Sequence, residues 1–282
     1  MGALVAILQN DPSLMRCQLA RLGAHVSLVA PDRLPDAYGF GYFTTGDVLL
    51  GKRPTGAQAP LTVAQLVGEV ATEVLVAHAR YATIGNHKDE NTQPYRFRRW
   101  LFAHDGTVEA FEQLKPRLLD ALPEFLRRNV SGDTDTEHVF MVFLQNLRAE
   151  GRLDDLDLEA DVAGAALART IRQIDAWSRE AGAQRPSSLN LVATNGRVLV
   201  ATRRGRPLSY ALLEGVLPCE LHELQAGSPD GDGRLRNHRL VKAVCFASRV
   251  LAPNGFLEVP EGSVAAVSRD LRVTISPIQA HG

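Results

Sequence analysis

Three short stretches place charged and hydroxyl side chains directly after apolar runs or at a helix start, where they can converge on one pocket. They are AHARYATIG (77–85), FAHDGT (102–107) and SGDTDTEH (131–138). Each alone has an ordinary reading: an arginine after a strand is a surface charge, Asp-Gly is a turn, and an acid before a helix is a cap. A fourth feature is glycine at position 2. Once an initiator methionine is removed, that residue carries the α-amine beside which some hydrolases set their nucleophile, and glycine supplies no side chain to be one.

The elements that must position these stretches read as follows. Residues 3–8 form a short apolar strand, and a helical stretch from Leu14 ends at Gly23. Two short strands flank Thr45-Gly46-Asp47, a helix falls near 61–71, and strands follow at 73–80 and 100–104. Helices are predicted at 108–121, 134–148 and 160–181, the second opening on Thr134-x-x-Glu137 in the pattern of a capping box. The remainder is rich in hairpins, with Asn195-Gly196 joining two apolar strands and further strands at 242–248 and 263–275. Strands in runs, with the helices grouped between 105 and 181, predict an α+β fold of layered sheets with helices outside. Residues 225–239 read as a polar, mobile loop.

Composition narrows the function. The 282 residues are 45% hydrophobic and 22% charged, as in a globular protein, and 31 Lys and Arg against 32 Asp and Glu give a net charge of -1. That balance gives no general attraction to nucleic acid or an anionic membrane. RFRRW (96–100) reads as a solvated strand, RRGR (203–206) as a charged loop after a hairpin, and LDDLDLEAD (153–161) as an acidic connector. No run is long and apolar enough to span a bilayer, the 3–8 run lacks a basic flank, and Ala6 stands where a myristoylation motif has Ser or Thr. Cys17, Cys219 and Cys245 show no C-x-x-C pair and no zinc spacing, so the expectation is a cytoplasmic protein without metal or cofactor.

In order along the chain, LVAILQNDPS, GFGYF, HARYAT, NTQPY, WLFAHDG and GDTDTE resemble the class II glutamine amidotransferases, a branch of the N-terminal-nucleophile hydrolases. The similarity is greatest to small stand-alone members such as the ergothioneine-pathway γ-glutamyl hydrolase. It continues more faintly through LNLVATNGRVLVATR, VCFASRVLAP and VPEGSVAAVSRDLRV, so one domain is expected over 1–282, with the site motifs in 1–150 and the helix and hairpin-rich remainder in 151–282. The resemblance implies a four-layer αββα sandwich. It also implies that Arg80 grips a glutamine α-carboxylate, that Asp135 pairs with the α-ammonium, and that Thr83 and His104 help to bind, with His78 and His104 as donors beside the site. NTQPY (91–95) is either a supporting loop or an X-Pro loop without a ligand role.

Two departures bear on activity. Family members carry a nucleophilic cysteine at position 2 and an oxyanion hole made by Asn and Gly of a His-Asn-Gly motif; here the residues are Gly2 and His104-Asp105-Gly106. Gly106 keeps a backbone N–H, but an ionised Asp105 only accepts hydrogen bonds. Losing a nucleophile costs about 10⁶ in kcat and losing one oxyanion donor about 10²–10³. Cys17, inside a helix and away from the amine, is no substitute. The leading expectation is therefore a degenerate glutaminase that keeps a glutamine or γ-glutamyl ligand, with a separate protein supplying any synthase step. The alternatives are an active amidotransferase or γ-glutamyl hydrolase in which Gly2 reflects an altered residue or start, and an interaction scaffold with no ligand.

Overall fold

Residues 3–8 are apolar without interruption because both faces of the strand they form, β1 (Gly2–Gln9), are covered. The computed structural model describes residues 2–45, 47–53, 59–82, 88–228 and 233–279. After β1 come α1 (Met15–Leu22), β2 (Ala37–Phe43), β3 (Val48–Arg53), α2 (Val63–Val67) and β4 (Val74–Arg80). Next are β5 (Tyr95–Phe97), β6 (Trp100–Thr107), α3 (Phe111–Asp120), α4 (Glu124–Arg127), α5 (Asp135–Ala149) and α6 (Ala160–Glu180). The chain continues through β7 (Ser188–Thr194), β8 (Leu199–Arg203), β9 (Ser209–Glu214), α7 (Gly233–Leu240), β10 (Lys242–Ala247), β11 (Phe256–Glu258), β12 (Ser263–Val267) and β13 (Val273–Pro277).

Two antiparallel sheets result. One has the order β11-β9-β10-β1-β4-β2-β3 and the other β13-β12-β8-β7-β6-β5. Alternation along each strand sorts the apolar residues into layers. Leu4, Ala6, Val74 and Val76 meet Leu101, Ala103, Val192 and Ala201 between the sheets. On the opposite face of the first sheet, Ala3, Val5 and Ile7 pack on Met15, Leu19 and Leu66 of α1 and α2. Beyond the second sheet, Phe102, Leu191 and Val200 pack on Phe140, Phe143, Leu167 and Ile171 of α5 and α6. The arrangement is the αββα sandwich.

Helix α5 carries the third motif on its first turn. Thr134 caps it by accepting from the Glu137 N–H at 3.4 Å. Glu137 does not close the capping box; its carboxylate reaches further back, accepting from the N–H groups of Ser131 (3.0 Å) and Gly132 (2.6 Å). The cap thereby fixes the whole 131–135 turn. Deeper along α5, Phe140 stacks on Phe102 with ring centroids 5.0 Å apart, tying the helix to β6.

Four expectations need correction. The helix near 61–71 shrinks to five residues because Gly68, at φ +71°, ends it. The 225–239 stretch is not all loop: 233–240 is α7, which buries only Leu235 and His238 and so shows no apolar stripe in its sequence. The hairpin at Asn195-Gly196 is a four-residue turn, with Asn195 Oδ1 accepting from Arg197 and Val198 N–H before Leu199 pairs with Thr194. Strands β9 and β11 were not foreseen, and RFRRW is not one solvated strand: its start lies in β5, which pairs with β6 from Trp100, and Phe97 and Trp100 are buried.

Candidate active site

In the antiparallel register of β1 and β4, Gly2 lies opposite Arg80 and Leu4 opposite His78. Leu4 points between the sheets, so Gly2, His78 and Arg80 share that inner face at one end of the sandwich. Facing them across the interior, Asp105 continues the inward series Leu101, Ala103 of β6, directly opposite Asn190 of β7. Strand register thus brings residues 2, 78, 80 and 105 together.

Asp105 is engaged as an acceptor. Its Oδ1 accepts the Gly2 N–H at 3.0 Å and lies 3.3 Å from an Arg206 guanidinium nitrogen. Arg206 comes from RRGR, whose other members pair elsewhere, Arg203 with Glu258 and Arg204 with Asp175. The turn bearing it is held by fully buried Asn190, which donates to the carbonyls of Arg206 and Pro207 and accepts from Arg204 N–H. The charged-loop reading missed Arg206 because only the β6–β7 register shows what that turn faces.

His78 fills the space beside Gly2. A Cβ at position 2 would lie 2.3 Å from His78 Nε2 and 3.2 Å from the Ala79 carbonyl oxygen. Among the described residues neither ring nitrogen of His78 has a hydrogen-bond partner, so it is not the donor expected from its position. Burial, reinforced by nearby positive charge including Arg80, pushes its pKa down to about 3, and the ring is neutral at pH 7.

His104 points the other way, toward α5. Its Nε2 donates to the Ser188 carbonyl at 2.9 Å, which leaves Nδ1 to accept from the Thr136 hydroxyl at 3.1 Å. Burial lowers its pKa as well. Gln93 bridges the same group, its side-chain amide donating to Thr136 Oγ1 while its carbonyl oxygen accepts the His104 N–H. A side chain at Gly106 would meet Ser188 O at 2.0 Å, so β6 and β7 approach this closely only with glycine there.

Asp135 sits at the first position of α5, accepting from Val108 N–H at 2.9 Å and Thr136 N–H at 2.8 Å. Negative charge near a helix N-terminus is favoured by the helix dipole. Arg80, only 5% exposed, has its pKa lowered by burial, while Tyr95, Asp36 and Asp135 favour its charged form. Tyr95 in turn pairs with Thr134 Oγ1 at 2.5 Å, and Asn91 accepts the Asp133 N–H at 2.9 Å. NTQPY therefore lies against the acidic turn as a support. Thr83 falls outside the described residues.

Cys17 is on α1, and burial pushes its thiol up to about 12, the reverse of what a nucleophile needs. It does not join Gly2. It lies among Cys219, His222 and His238, whose ligand atoms and its own are all within 4.8 Å of one another. The expectation of no zinc spacing overlooked Cys219-x-x-His222 with His238 16 residues further on; only Cys17, 205 residues before His222, is remote in sequence.

The chain belongs to the class II glutamine amidotransferases, whose family model matches residues 1–225. It is 28% identical over 181 residues to the probable glutamine amidotransferase DUG3 of Saccharomyces cerevisiae, covering 60% of this chain and 51% of that protein. Over 89 residues it is 32% identical to the isomerizing glutamine–fructose-6-phosphate aminotransferase of Pyrococcus horikoshii, covering 31% of this chain and 14% of that one. The chain thus spans about half of the first relative's length and much less of the second's. Among solved structures, it superposes on the glutamine aminotransferase class-II domain protein of Silicibacter pomeroyi with a TM-score of 0.61 at 16% identity, covering 98% of both chains. It also superposes on glutamine phosphoribosylpyrophosphate amidotransferase of B. subtilis, with a TM-score of 0.58 at 16% identity, over 99% of this chain and 50% of that one. At such identities the likeness carries the fold, the αββα sandwich of the N-terminal-nucleophile type. Among the described residues no helix is long and apolar enough to cross a membrane.

Proposed function

We propose that this chain is a class II amidotransferase-like protein without glutaminase activity, which binds glutamine or a γ-glutamyl compound through Arg80 and Asp135. The observation that carries the reading is the 3.0 Å hydrogen bond from Gly2 N–H to Asp105 Oδ1. Glutamine hydrolysis in this family needs a nucleophile at position 2 and a donor at position 105. Here position 2 has no side chain, His78 occupies the adjoining space, and position 105 is an acceptor already engaged by Arg206. With Met1 removed, the same nitrogen would be an ammonium held against a carboxylate, which opposes the neutral amine that a proton shuttle requires.

The selecting groups are retained. Arg80 is a planar, bidentate partner for a carboxylate, and Asp135 supplies the opposite charge beside it. A zwitterionic amino-acid head group matches that pair. Such a protein serves as a binding or sensing subunit, and any synthase step belongs to a partner protein. Isothermal titration with L-glutamine and with γ-glutamyl dipeptides tests the reading. Heat of binding at millimolar ligand, abolished by Arg80→Ala and weakened by Arg80→Lys, is expected; no binding, or binding indifferent to Arg80, refutes it and favours a scaffold without ligand.

A further inference from the structure

A second constellation lies at the end of β1 remote from Gly2. Cys17 is on the first turn of α1, Cys219 and His222 bracket a single 3₁₀ turn (Glu220–His222), and His238 is on α7. Cys17, Cys219 and His238 are buried and His222 is partly so. Cys17 Sγ is 3.3 Å from His222 Nδ1 and 3.7 Å from His238 Nε2; Cys219 Sγ is 3.5 Å from His222 Nδ1, and the two histidine nitrogens are 3.1 Å apart.

These separations have a geometric meaning. A tetrahedral Zn²⁺ with bonds of about 2.0–2.1 Å to nitrogen and about 2.3 Å to sulfur sets its ligand atoms roughly 3.3–3.8 Å apart. Four of the separations, 3.3, 3.7, 3.5 and 3.1 Å, fall in or close to that range, and all four atoms lie within 4.8 Å of one another. Their surroundings fit as well: His238 Nδ1 donates to the Arg234 carbonyl at 2.7 Å, so Nε2 presents its lone pair to the cluster. Reciprocal backbone hydrogen bonds between Cys219 and Leu224, at 2.9 and 3.0 Å, close a loop that holds Cys219 and His222 on one side. An approach exists too, since a surface cleft of about 350 Å³ lined by Ser13, Arg16, Glu69, Leu221 and His222 opens beside the cluster.

We infer that Cys17, Cys219, His222 and His238 form a structural Zn²⁺ site that clamps the excursion between β9 and β10 onto α1. Four protein ligands leave no open position, so the ion is structural and performs no hydrolysis. Binding converts two thiols to thiolates and releases two protons to solvent. The apolar contact it reinforces is small: Leu14, Cys17, Val216, Cys219, Leu224, Leu235 and Val241 are its buried members. Because α1 packs directly on β1, the clamp also steadies the strand that carries Gly2.

Metal analysis of the full chain, purified reduced and without chelator, gives the test. About one zinc per chain is expected, lost in Cys17→Ser and in His238→Ala but kept in Cys245→Ser, with chelation lowering the thermal midpoint. As a check that does not depend on the variants folding, cobalt titrated into the metal-stripped wild-type chain is expected to give thiolate charge-transfer and tetrahedral d–d bands saturating at one equivalent. Zinc below about a tenth of an equivalent with no cobalt thiolate bands overturns the site. So does full zinc retention by Cys17→Ser, or a Cys17–Cys219 disulfide in the reduced protein.

Discussion

Gly2 N–H donates to Asp105 Oδ1 at 3.0 Å, and through this bond the first strand of one sheet is joined to the inner face of the other. The Asp105 carboxylate is thus engaged as an acceptor. Arg206 balances its charge from 3.3 Å, with the Asp105 side chain 7% and the Arg206 side chain 26% exposed. The pair is partly shielded from water, so its coupling should exceed that of a fully solvated one. A double-mutant cycle of Asp105→Asn and Arg206→Gln, followed by urea unfolding, is expected to give a coupling energy of about 1 kcal/mol. Strict additivity would show that the two side chains do not meet in solution.

Introducing the family's cysteine should be costly. The Cβ of Gly2→Cys would lie 2.3 Å from His78 Nε2, so the buried ring must turn away, and the Ala79 carbonyl at 3.2 Å limits the room left. Overpacking of this kind costs about 1–3 kcal/mol. A lower thermal midpoint for Gly2→Cys, partly recovered by adding His78→Ala, is the expected outcome. No change in the midpoint would mean that the ring is not where the structure has it.

Asn190 governs Arg206 from behind. Its amide satisfies two carbonyls and one N–H of the 204–207 turn while being fully buried. Asn190→Ala leaves those groups without their partners, at about 1–3 kcal/mol for a buried polar group. Chemical unfolding should show that loss, and hydrogen exchange at Arg204 N–H should accelerate. A neutral effect on both would remove Asn190 from the account.

Acid should weaken the fold through its buried histidines. His78, His104 and His138 all have their pKa values lowered by burial, His78 to about 3. In the unfolded chain a histidine takes up its proton near pH 6.5, whereas the folded state holds His78 neutral down to about 3, so stability is complete above 6.5 and falls as pH drops between the two. From His78 alone the loss at pH 5 is about 2 kcal/mol. Urea unfolding at pH 7.5 and 5 should reveal it, and His78→Leu should flatten the dependence. An unchanged slope in that variant would assign the acid sensitivity to other groups.

Much of this was legible in the sequence, for identifiable reasons. The apolar 3–8 run announced a strand, and Thr134 announced the start of α5. HARYAT, AHDG and GDTDTE pointed to one pocket because each follows an apolar strand or opens a helix. What could not be read depends on register and on distance along the chain. Arg206 and Asn190 matter only because β6 pairs with β7 so that Asp105 meets Asn190. His78 becomes the neighbour of a side chain at position 2 only through the β1–β4 register. Cys17 and His222 are 205 residues apart, and α7 hides its helical character by burying just two residues.

Whether positions 2 and 105 support amide hydrolysis is read out by ammonia and glutamate release from L-glutamine by the purified chain. Loss of the nucleophile lowers kcat by about 10⁶, and an acceptor at position 105 also removes the oxyanion donor that would sustain a residual rate. No release above a protein-free control is expected at any glutamine concentration. Stoichiometric ammonia and glutamate that rise with enzyme concentration and disappear in Arg80→Ala would contradict it.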